Sequence, residues 1–63
     1  MDLQGTRYES SGNVIEILKV EEGEAPDVQV RLIDAPAEGA IAEVGTEWTL
    51  SYRDLMSGWN PVG

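Results

Sequence analysis

Residues 28–32 alternate without interruption: Val28, Val30 and Leu32 are apolar, Gln29 and Arg31 polar. Successive side chains of a strand point to opposite faces, so this period of two predicts a β-strand with the three aliphatic residues inward. Residues 47–51 repeat the pattern, which places Trp48 and Leu50 inward. Residues 5–10 predict a first strand, with Thr6, Tyr8 and Ser10 on one face and Arg7 and Glu9 on the other. The turn-rich segment Ser10, Ser11, Gly12 and Asn13 predicts a hairpin turn.

Residues 14–20 carry two patterns. Val14, Ile15, Ile17 and Leu18 fit one helical face, and Asn13 with Glu16 three residues later is a capping-box spacing. β-Branched crowding and the short span between Gly12 and Gly23 favour a strand. Residues 21–27 combine Gly23, Pro26 and four carboxylates and predict an exposed loop. A break follows over residues 34–39, and residues 40–44 fit either a helical turn or a strand continuation that Gly45 closes. Residues 52–56 predict a helical turn with Ser51 as N-cap, Asp54 three positions on and Gly58 beyond its end. Residues 59–62 predict a short terminal strand.

Together these elements predict an all-β domain over residues 1–63. Short strands, a long middle loop and one helical turn before a last strand resemble the SH3-like small β-barrels of prokaryotes and their viruses. Residues 45–62 carry the resemblance, through Trp48 and Leu50, then Ser51, Tyr52, Arg53, Asp54 and Leu55, then Trp59, Pro61 and Val62. It implies a small barrel of four to five antiparallel strands. The chain departs from eukaryotic signalling SH3 domains: it has no Ala-Leu-Tyr-Asp-Tyr-type loop and no second Trp after Trp48, which argues against a Pro-rich peptide groove.

Length and charge narrow the picture further. A 63-residue chain buries only about 60% of the surface it exposes when unfolded. With no Cys and no His, neither a disulfide nor a Cys/His metal clamp can reinforce the core, and a homo-oligomer stays open. Twelve carboxylates against four basic side chains leave a net charge of −8, so nucleic acid and anionic membranes are not expected as direct partners. The lysine-poor acidity resembles proteins of salt-in halophiles, although glutamate here outnumbers aspartate. No basic leader or ~20-residue apolar run occurs, so the expected location is cytoplasmic.

Catalytic chemistry has little to work with. Ser-His-Asp and Cys-His arrangements are excluded, and Lys19 is the one base within reach of a serine mechanism. No phosphate-binding glycine loop is present. Glu21, Glu22, Glu24 and Asp27 form an acidic patch but lack the order of a calcium loop, so no metal site and no cofactor are expected. The expected function is therefore non-enzymatic: a small acidic module that binds a protein partner, as a subunit of an assembly. Its candidate surface is Tyr52, Arg53 and Trp59 with Tyr8 nearby, because aromatic and arginine side chains are enriched where proteins meet. The alternative is an inhibitor that mimics nucleic acid, with Glu21, Glu22, Glu24 and Asp27 entering the basic groove of an enzyme.

Overall fold

The computed structural model describes residues 3–62. The chain forms β1 (Arg7–Ser10), β2 (Asn13–Glu21), β3 (Asp27–Asp34), β4 (Glu47–Ser51), α1 (Tyr52–Gly58) and β5 (Asn60–Val62). All strands are antiparallel neighbours in one sheet of order β4-β3-β2-β1-β5. The sheet does not close, because β4 and β5 remain its two edges.

Residues 14–20 form a strand, and its irregularity explains their mixed pattern. Ile17 pairs with Val30 but Lys19 pairs with Gln29, so Leu18 is an extra residue in β2. Inward positions run 13, 15, 17 and then 20, so Val14 and Leu18, the apolar residues that complete the helical pattern, lie half-buried off the inner row. The bulge keeps Lys19 in solvent and turns Val20 towards the core. A second shift makes Ile33 the extra residue of β3, where Val14 pairs with Asp34 and Ile15 with Leu32.

The inner face holds the core. Leu3, Tyr8, Ile15, Ile17, Val28, Val30, Leu32 and Leu55 are buried, with Val20, Trp48, Leu50, Tyr52 and Trp59 packed against them and half-buried. The two clean alternations therefore face as their period demands. Hairpin β1–β2 turns on Ser11 and Gly12, whose φ angles of 51° and 86° are the positive pair that a type I′ turn needs.

The outer face is a charged ladder. Arg7 lies opposite Glu16, Glu16 opposite Arg31, and Arg31 opposite Glu47, so one row across four strands alternates in sign. Cross-strand neighbours of opposite charge stabilise a sheet modestly, and here the row uses two of the three arginines and two carboxylates that would otherwise add to the repulsion. Residues 40–44 are neither helix nor strand.

Candidate protein-binding surface

The long segment between β3 and β4 has no regular structure of its own, and one buried side chain fastens it. Asn13 is 1% exposed. Its Nδ2 donates to the carbonyls of Ser10 at 3.3 Å and Gly39 at 3.2 Å, and its Oδ1 accepts from the Ile41 amide at 3.2 Å. A single amide thus ties the tip of the first hairpin to residues 39–41. Gly45, at φ 99°, then turns the chain back so that its amide donates to the Leu32 carbonyl at 2.7 Å and β4 can begin.

This anchoring leaves an open groove of about 340 Å³ lined by Ile41, Ala42, Thr46, Trp48 and Trp59. Alternation in β4 directs Trp48 to the inner face, where the edge position leaves the ring half-buried. Trp59 caps α1: its amide donates to the Leu55 carbonyl at 3.1 Å, and its extended backbone turns the chain out of the helix. Ile41 is 54% exposed and Val44, in the same loop, 61%.

A second groove lies elsewhere, lined by Leu3, Val20, Glu22, Gly23, Pro26 and Tyr52. It carries one carboxylate, whereas the tryptophan groove carries none. Neither brings together a pair of carboxylates of the kind acid–base catalysis uses.

The expected surface residues are distributed differently from the sequence expectation. Tyr8 is 7% exposed and belongs to the core, because Arg7 and Glu9 occupy the solvent-facing positions of β1. Tyr52 is half-buried in the second groove, Arg53 is exposed on α1, and Trp59 sits in the tryptophan groove. Tyr52 and Trp59 therefore line separate sites. Ile41 and Ala42 had no sequence signature, since a loop side chain gains its neighbours only through the Asn13 tether. Trp48 faces inward as its alternation requires, and remains half-buried.

Glu21, Glu22 and Glu24 are exposed and Asp27 is half-buried. Glu21 faces Asp27 across the β2–β3 pair, and Lys19 Nζ lies 3.5 Å from Glu21 Oε1. Among the described residues no three acidic side chains gather closely enough to hold a metal ion, and no helix is long and apolar enough to cross a membrane. No family model matches the chain, and no curated protein or solved structure matches it.

Proposed function

We propose that this chain is a non-enzymatic module that binds another protein through the groove of Ile41, Ala42, Trp48 and Trp59, as a small SH3-like subunit of an assembly. The observation that carries the reading is the pair of half-buried tryptophans lining one apolar groove with no carboxylate in it. Two large rings left partly in water retain apolar area that a partner can bury, and tryptophans are the commonest binding hot spots. The strand order, with α1 between β4 and β5, supports the SH3-like reading, and the acidic composition suits a halophilic prokaryote or its virus.

The test is retention of partner proteins on the immobilised chain at about 0.1 and 1 M KCl, with wild type and Trp59→Ala compared. Hot-spot truncation costs about 2 kcal/mol or more, roughly thirtyfold in Kd. The wild type should hold its partner at both salt concentrations, and a folded Trp59→Ala variant should release it. Retention that collapses at ~1 M salt and ignores Trp59→Ala would instead assign binding to Glu21, Glu22, Glu24 and Asp27, as a nucleic-acid mimic requires.

A further inference from the structure

The tryptophan groove borders an unpaired strand. β4 is an edge of the sheet, and the bonds flanking it fix which of its peptide groups face outward. The Thr46 carbonyl accepts from the Leu32 amide at 2.9 Å, and the Tyr52 amide donates to the Pro26 carbonyl at 2.9 Å. Both bonds fall in the register that pairs Val30 with Trp48 and Val28 with Leu50. Peptide groups alternate sides along a strand, so the even-numbered residues of β4 face β3 while Glu47 and Thr49 direct N–H and C=O away from the sheet. No described residue is hydrogen-bonded to those four groups.

Natural edges are usually blunted by lysine, proline or a bulge. β5 follows that rule: it is three residues long and contains Pro61, which has no N–H. β4 has five residues and no lysine, proline or bulge, and Glu47 is its one charged side chain.

Charge and shape define what fits beside it. The outer row runs Arg7, Glu16, Arg31, Glu47, so the next place in it calls for a cation. Arg31 Nε and Nη2 both bond Oε2 of Glu47, at 3.0 and 2.7 Å, which leaves Oε1 without a bond from a described residue. On the inner face, the neighbouring position meets Trp48 and the apolar groove. A second copy of this chain is a poor occupant, since each copy brings a net charge of −8.

We infer that β4 is extended by an extended segment of a partner protein in which lysine or arginine alternates with apolar residues, the cation lying opposite Glu47 and an apolar side chain entering the groove of Trp48 and Trp59. This rests on the protein-binding reading above and specifies how the partner is held. Main-chain bonds to Glu47 and Thr49 supply the register, and the two faces select the sequence.

The experiment is amide hydrogen exchange by NMR on the full chain in about 0.2 M KCl, with a capped seven-residue peptide of alternating valine and lysine as probe. In the free protein the Glu47 and Thr49 amides should exchange fast and those of Trp48 and Leu50 slowly. Saturating peptide should slow Glu47 and Thr49 at least tenfold. A valine–glutamate peptide should bind at least tenfold more weakly, and the valine–lysine peptide methylated on alternate backbone nitrogens should give no slowing. Thr49→Pro, which removes only an outward N–H, should abolish the slowing at Glu47. Binding seen by tryptophan fluorescence without slowing at Glu47 and Thr49 overturns strand addition but leaves groove capture standing. No binding at millimolar peptide overturns the inference, and the Trp59→Ala retention test then decides the broader reading by itself. Slowing that grows with protein concentration alone also overturns it, in favour of self-association.

Discussion

Asn13 fastens the loop that carries Ile41 and Ala42 from outside the groove. Its amide satisfies two carbonyls and one N–H from residues up to 28 positions away from it in the chain, at a site with almost no access to water. Removing one partner of a part-buried hydrogen bond costs about 1–3 kcal/mol, a large share of what a 63-residue domain has. Asn13→Ala should therefore lower unfolding free energy by that amount in urea titration. Asn13→Asp should lower it further, because a carboxylate oxygen would replace the donor facing the Ser10 and Gly39 carbonyls. Equal stability of all three proteins would show that the loop is held by other contacts. The role was not legible in the sequence, where Asn13 reads as a turn residue or a helix cap. Its reach to Gly39 and Ile41 is set by how the chain returns on itself, which no local pattern encodes.

At the level of elements, legibility followed periodicity. Residues 28–32 and 47–51 alternate cleanly and form strands that face as expected, and the latter has the expected bounds. Residues 14–20 were ambiguous because Leu18 breaks the period of two, and a bulge is a property of pairing rather than of one strand alone. The helix was legible from chemistry: Ser51 Oγ accepts from the Asp54 amide at 3.1 Å, and α1 runs two residues beyond the expected 52–56 to Gly58. Seven residues make a helix too short to persist without tertiary support, so the cap matters. Ser51→Ala should cost about 1 kcal/mol in chemical unfolding. A value near zero would mean that Leu55, the buried side chain of the helix, carries α1 alone.

Over the whole molecule, paired charges lie on the outer face of the sheet and unpaired ones in the loops. The outer face sets Arg7 and Arg31 among carboxylates, whereas the exposed loops hold Glu22, Glu24, Glu38 and Glu43 with no ion pair among the described residues. Repulsion should therefore arise mainly in the loops, where added salt screens it well. A gain of 1–2 kcal/mol between 0.05 and 1 M KCl would raise Tm by roughly 5–15 °C in a domain this small. A flat series would remove the halophilic reading. No carboxylate lines the tryptophan groove, so its contacts should outlast screening. The decisive measurement is a map of amide shifts when a captured partner binds in about 1 M KCl. Binding through the groove predicts changes at Ile41, Ala42, Thr46, Trp48 and Trp59; changes confined to Glu21, Glu22, Glu24 and Asp27 would contradict it.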